Sequence, residues 1–111
     1  MKKIAMMNCL KANEVCSGEA CLRAFYAREA GFARYFGEEL KLMGFLRCSN
    51  CGKTPEEDRG MTEKLERLVS VGTEAVHIGV CAQMGGVRCP TMEENARWLE
   101  ARGIEVIWQT H

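Results

Sequence analysis

The chain has 111 residues, 47% of them hydrophobic, and its 15 Lys and Arg residues balance its 15 Asp and Glu residues. This length and apolar fraction predict one globular domain, residues 1–111, with a core of its own. The neutral charge balance gives no sign of the basic face that a nucleic-acid partner requires. No apolar run approaches the length of a membrane span, and the stretch after Lys3 is too short for a secretion signal. We therefore expect a cytoplasmic protein without a nucleic-acid or membrane partner.

The chain contains seven cysteines, which is an unusual number for its length. An odd count without a secretion signal disfavours a secreted disulfide scaffold. In a reducing compartment, cysteines serve as metal ligands, as redox groups or as small buried hydrophobes. The positions of the cysteines in the fold therefore decide between these roles.

The first half of the chain predicts two strands and one helix. The short apolar run 3–8 is typical of a buried parallel strand. Apolar residues at helical spacing predict a helix over 20–36, with a break or bend expected at Gly31. A second strand is predicted over 39–47, and residues 55–59 form a polar linker.

The second half predicts two helices and two strands. A helix is expected over 62–71, followed by a strand over 75–80. Pro90 suits the first position of a third helix, which Gly103 ends. The last strand is predicted over 104–109.

The alternation of strands and helices predicts the fold class. The order β-α-β-α-β-α-β is typical of a single three-layer α/β domain with a four-stranded parallel sheet. Right-handed crossovers favour the flavodoxin- or Rossmann-like strand order 2-1-3-4. Such sheets bind ligands at the carboxyl ends of their strands.

The cysteines follow the predicted strands closely. Cys9 follows the first strand, Cys48 and Cys51 follow the second, and Cys81 follows the third. The carboxyl ends of parallel strands meet at one edge, so these residues are expected to lie close together there. Further candidates map to the same edge, namely Cys16, Cys21, Cys89 and His111.

Thiolates are the ligands that zinc and iron–sulfur clusters prefer, and four of them complete a tetrahedral site. The C-x2-C spacing of Cys48 and Cys51 lets both sulfurs reach one ion. We expect a zinc site with Cys9, Cys48, Cys51 and Cys81 as its core ligands. The other candidate ligands are Cys89, Cys16 and His111.

Other interpretations of these cysteines stay open. An iron–sulfur cluster for electron transfer or sensing uses the same ligands. A metal-free thiol–disulfide oxidoreductase would use Cys48 to attack and Cys51 to resolve. Burial explains Cys21 nearly as well as ligation does, and His77, inside the third strand, reads better as a hydrogen-bonded core residue. The sequence shows no acid–base pair and no nucleotide-binding motif that would indicate a particular reaction.

These motifs together resemble the CGGC-domain family of small prokaryotic proteins, over nearly the whole chain. The likeness rests on the cysteines and on five short phrases: FARY at 32–35, HIGVC at 77–81, CP at 89–90, GIEV at 103–106 and TH at 110–111. Ser49 and Asn50 stand where the family motif has its two glycines. The resemblance implies metal binding, with zinc the expected metal, and groups Cys9, Cys48, Cys51, Cys81 and Cys89 in one site. It also makes a ligand role for His77 and His111 more plausible.

Overall fold

The computed structural model describes residues 1–109 and omits the side chains of residues 12 and 13. Its regular elements alternate along the chain. The four strands are β1 (Lys2–Cys9), β2 (Leu40–Cys48), β3 (Ala75–Ile78) and β4 (Glu105–Ile107). The three α-helices are α1 (Glu19–Ala27), α2 (Arg59–Ser70) and α3 (Pro90–Glu100).

The sheet is parallel throughout, with the strand order β2-β1-β3-β4. The predicted fold class and strand order are therefore confirmed. A register shift between Ile4 and Ala5 realigns β1 against β2, and beyond it Cys9 pairs with Cys48. These two cysteines consequently lie side by side at the carboxyl edge of the sheet.

Helices cover both faces of the sheet. Ile4 and Met6 pack in one apolar cluster with residues of α1, whereas Ala5 and Met7 pack in another with residues of α2 and α3. This alternation follows from the two-residue repeat of a strand. The α1 face and the α2–α3 face are therefore separate environments, which matters for the cysteines at the edge.

The predicted helix over 20–36 is wrong in its extent. α1 ends at Ala27, Arg28 adopts a left-handed conformation with a φ of 56°, and a 3-10 helix follows over Ala30–Tyr35. The break precedes Gly31 because the amide of Arg28 bonds back to the carbonyls of Ala24 and Phe25. The short second segment turns Phe32 and Tyr35 into the core.

The remaining boundaries differ by a few residues from those expected. The polar linker contains a 3-10 turn over Pro55–Glu57, and α2 begins at Arg59 because Asp58 caps it. The third strand ends at Ile78, since Val80–Ala82 forms a 3-10 turn. Within residues 1–109, no helix has the length and apolar content needed to cross a membrane.

Candidate metal centre

A cavity of about 110 Å³ opens at the carboxyl edge of the sheet, on the α2–α3 face. Four cysteines line it: Cys9, Cys48, Cys51 and Cys89. Two of them end neighbouring strands, one lies in the loop after β2, and Cys89 is the N-cap residue of α3. Each is a free thiol. The fold thus brings together cysteines from three distant parts of the chain.

The rest of the cavity wall is mostly apolar. Leu10, Ala82 and Met92 supply hydrocarbon surface, and Thr91 and Lys11 also line the wall. An apolar wall limits the access of water and strengthens electrostatic interactions inside.

Cys48 is the most deeply placed of the four thiols, with 7% of its surface exposed. Its Sγ donates to Asn50 Oδ1 at 3.0 Å and accepts from Asn95 Nδ2 at 3.4 Å. Burial raises the pKa of the Cys48 thiol, and hydrogen bonding with the backbone of Asn50 and the side chain of Asn95 partly offsets that effect. Cys48 is therefore a protonated thiol with fixed hydrogen-bond partners.

Asn50 and Asn95 form a reciprocal pair beside this thiol. Asn50 Nδ2 donates to Asn95 Oδ1 at 2.8 Å, and Asn95 Nδ2 lies 3.2 Å from Asn50 Oδ1. Both residues are buried, at 1% and 0% exposure. The sequence reasoning missed Asn95. It lies on the helix face that also carries Met92 and Leu99, and a polar residue in such an apolar stripe signals a specific partner.

The loop after β2 accommodates its two central residues without strain. Neither Ser49 nor Asn50 has a positive φ, whereas Gly52 has a φ of 81°. The left-handed turn that requires glycine thus lies just beyond Cys51. Gly52 N then donates to Thr91 Oγ1 at 2.9 Å and ties the loop to α3.

The other three cysteines lie outside the cavity wall. Cys81 Sγ accepts a hydrogen bond from the amide of Cys9 at 3.3 Å. Cys21 is buried on the α1 face, where its Sγ lies 3.6 Å from Asn8 Nδ2. Cys16 Sγ accepts from the amide of Gly18 at 3.4 Å. Of the four expected core ligands, the cavity brings together Cys9, Cys48 and Cys51, and its fourth cysteine is Cys89.

Burial raises the pKa of Cys21, and its hydrogen bond with Asn8 opposes that rise. Negative charge on Cys81 or Cys16 would raise the pKa of Cys21 further. Cys21 therefore has its own electrostatic neighbours, Cys81 and Cys16, which are not part of the cavity wall.

His77 is a core residue, as the sequence favoured. It is fully buried, its Nε2 lies 2.7 Å from Tyr35 Oη, and its ring stacks on Phe32 with centroids 4.5 Å apart. Burial, together with the positive charges of Arg34 and Lys2, lowers the pKa of His77 to about 4. The expected ligand His111 lies outside the described residues.

The chemistry of the cavity fits a soft metal ion, although its thiols are not arranged around one point. Within residues 1–109, no three His, Cys, Asp or Glu side chains stand in a ready-made metal geometry. Four thiols nevertheless line one small cavity, which is the donor set that zinc prefers. Metal binding there requires the thiols to rotate toward a common centre and to lose their protons.

Comparison with known proteins supports the same chemistry. The family model of the CGGC domain matches residues 3–111, which confirms the resemblance seen in the sequence. That match indicates a cysteine-rich metal-binding function and leaves the metal open. No curated protein and no solved structure matches the chain.

Proposed function

The chain belongs to the CGGC-domain family, and we propose that it binds a zinc ion through Cys9, Cys48, Cys51 and Cys89. The observation that carries this proposal is the single cavity that these four cysteines line. In this proposal Cys89 is the fourth ligand in place of Cys81, which the sequence suggested, because Cys81 lies outside the cavity wall. A role for His111 as a further ligand stays a prediction.

Four thiolates suit zinc by number and by softness. A zinc ion with four cysteine ligands is tetrahedral and has no open position for a substrate. The complex carries a net charge of about −2, and Lys11 in the cavity wall offsets part of it. A closed site of this kind stores or senses the metal, or stabilises the loops around it.

The sequence also suggested a metal-free oxidoreductase in which Cys48 attacks. An attacking thiol needs an accessible sulfur and a lowered pKa. Cys48 is buried and burial raises its pKa, whereas Cys51 is exposed. Burial therefore makes Cys48 a poor nucleophile toward an external substrate, whereas a metal ion inside the cavity would lie beside its sulfur.

An iron–sulfur cluster uses the same four thiolates and is the alternative that the metal content must decide. The protein should be purified without oxygen and analysed for zinc, iron and labile sulfide together. We expect about one zinc per chain and colourless protein. Brown protein that contains iron and a matching amount of labile sulfide would instead indicate an iron–sulfur cluster bound by the same residues.

Serine variants test whether the metal binds in the cavity. Serine is nearly as large as cysteine but is a poor ligand for zinc at neutral pH. The double variant Cys48→Ser/Cys51→Ser should lose most of the metal, and Cys89→Ser should weaken its retention. The control Cys16→Ser should keep the metal, because its sulfur bonds to Gly18 outside the cavity. Equal metal content in the wild type and the double variant would refute the proposal.

We further infer a cytoplasmic location. A site of four zinc-binding thiolates requires reduced cysteines, which a reducing compartment maintains, whereas an oxidising one favours disulfides. Fusions to a thiol-sensitive reporter at each end of the chain would test this location in cells. Oxidised Cys48 and Cys51 in protein trapped directly from cells would contradict it.

A further inference from the structure

We propose that Asn95 is a positioning residue for the metal centre, which holds Cys48 in place and donates a hydrogen bond to its thiolate. This inference rests on the proposed function, because Cys48 is one of the four proposed ligands. It goes beyond that function by assigning a role to a residue that is not a ligand.

The hydrogen bonds around Cys48 form a closed network. The two protons of Asn95 Nδ2 are directed to Cys48 Sγ at 3.4 Å and Asn50 Oδ1 at 3.2 Å. The two protons of Asn50 Nδ2 are directed to Asn95 Oδ1 at 2.8 Å and to the carbonyl of Lys53 at 3.1 Å. Both carboxamides thus have partners for their donors and acceptors, which fixes their orientations. A satisfied buried network of this kind is rigid.

The network serves Cys48 both before and after it loses its proton. The neutral thiol donates to Asn50 Oδ1 and accepts from Asn95 Nδ2. The metal-bound thiolate has no proton to donate, but it keeps the N–H donor of Asn95. Asn50 Oδ1 still accepts from Asn95 as well, so no buried polar atom loses its last partner. Because a thiolate and a carbonyl oxygen 3.0 Å apart repel each other, metal binding turns Cys48 Sγ away from Asn50 Oδ1 and toward the ion, while the two asparagines keep the hydrogen bonds between them.

Asn95 also fixes the loop after β2, which begins just after Cys48 and carries Cys51. Its two contacts with Asn50 join the loop to the second turn of α3, whose N-cap residue is Cys89. Asn95 thereby sets the position of Cys48 and Cys51 relative to Cys89. Residues that orient metal ligands in this way typically change metal affinity by about 10- to 100-fold when they are replaced.

The test compares Asn95→Ala with Tyr35→Phe. The control removes one buried hydrogen bond, that between Tyr35 and His77, on the opposite face of the sheet. Zinc affinity is measured by competition with a chromophoric chelator, and Co²⁺ is used as a spectroscopic probe. We expect Asn95→Ala to bind zinc about 10- to 100-fold more weakly, and Tyr35→Phe to retain the wild-type affinity.

The Co²⁺ spectrum distinguishes a direct effect of Asn95 on the Cys48 thiolate from a general loss of protein stability. A hydrogen bond lowers the energy of the thiolate lone pairs, so its loss should move the sulfur-to-cobalt charge-transfer band to longer wavelength in Asn95→Ala. Tyr35→Phe should leave the band in place. If Asn95→Ala does not fold, Asn95→Leu keeps the branching of the carboxamide and removes the same donor.

The two hypotheses fail in different ways. Wild-type protein that binds neither zinc nor Co²⁺ would overturn the proposed function and this inference with it. Wild-type protein that binds both, with an Asn95 variant of unchanged affinity and unchanged band position, would overturn the role of Asn95 alone.

Discussion

The buried histidine of β3 predicts a specific loss of stability in mild acid. His77 has a pKa of about 4 in the folded protein, against an ordinary value of 6.5. The unfolded chain therefore binds a proton that the folded chain rejects between these two pH values. The contribution of His77 to stability is complete above pH 6.5, falls as the pH drops below 6.5, and levels off near pH 4.

The size of the loss follows from the pKa difference. Each pH unit in this window costs about 1.4 kcal/mol, so the full loss is about 3 kcal/mol. Glu57 and Glu63 also have lowered pKa values, owing to hydrogen bonds with Thr54 and Arg67 respectively, and they weaken the fold at still lower pH. Measurements between pH 7.5 and 5 keep the two effects apart, and there His77 should cost about 2 kcal/mol.

The assay is urea unfolding at several pH values, with a reductant and a metal chelator present so that the thiol site does not contribute. The control is the double variant His77→Leu/Tyr35→Phe, which removes both partners of the buried hydrogen bond and leaves neither unpaired. His111 is present in both proteins, so its titration cancels. The pH dependence of the control should be flatter by about 2 kcal/mol over the same window. Identical slopes in the two proteins would refute the assignment of the acid sensitivity to His77.

Two further predictions concern the ends of the elements. Asp58→Ala removes the side-chain oxygen that accepts from Met61 N at 2.9 Å and should cost about 1 kcal/mol in urea unfolding, whereas Asp58→Asn should cost little; equal losses would exclude a capping role. Gly79→Ala places a Cβ that overlaps Asn8 Oδ1 and lies 3.4 Å from Cys81 Sγ, and should cost about 1–3 kcal/mol. Gly60→Ala, whose Cβ meets only Asp58 Oδ1 at 3.5 Å, should instead stabilise α2 by up to about 1 kcal/mol, and similar stabilities of these two variants would contradict the crowding at Gly79.

The order of the elements was predictable because each signal is local. Buried parallel strands such as 3–8 have short apolar runs, and Pro90 marks the start of a helix without reference to the rest of the chain. The break after α1 was not predictable in the same way. The apolar spacing continues through Phe32, and the left-handed turn at Arg28 is stabilised by packing of the following segment on the sheet.

The candidate site was predictable at the level of the sheet edge. The topology alone places Cys9 and Cys48 at neighbouring strand ends, and their register pairing shows how close that edge brings them. The hydrogen bonds between Asn50 and Asn95 were not predictable from the motif spacings, because the two residues are 45 positions apart in the chain. Only the packing of α3 against the loop after β2 brings the two carboxamides together.

Strand alternation explains why Cys9 lies on the face of the sheet that carries the cavity. Along β1, Ala5 and Met7 face α2 and α3, and Cys9 continues that series into the cavity. Along β3, Ala75 and His77 face α1. Cys81 lies beyond the end of β3, in the 3-10 turn Val80–Ala82. Its Sγ accepts a hydrogen bond from the amide of Cys9 and is absent from the described wall of the cavity. Candidate ligands at a sheet edge must accordingly be chosen by face as well as by edge, and the cavity on the face of Cys9 is lined by Cys89 from the start of α3.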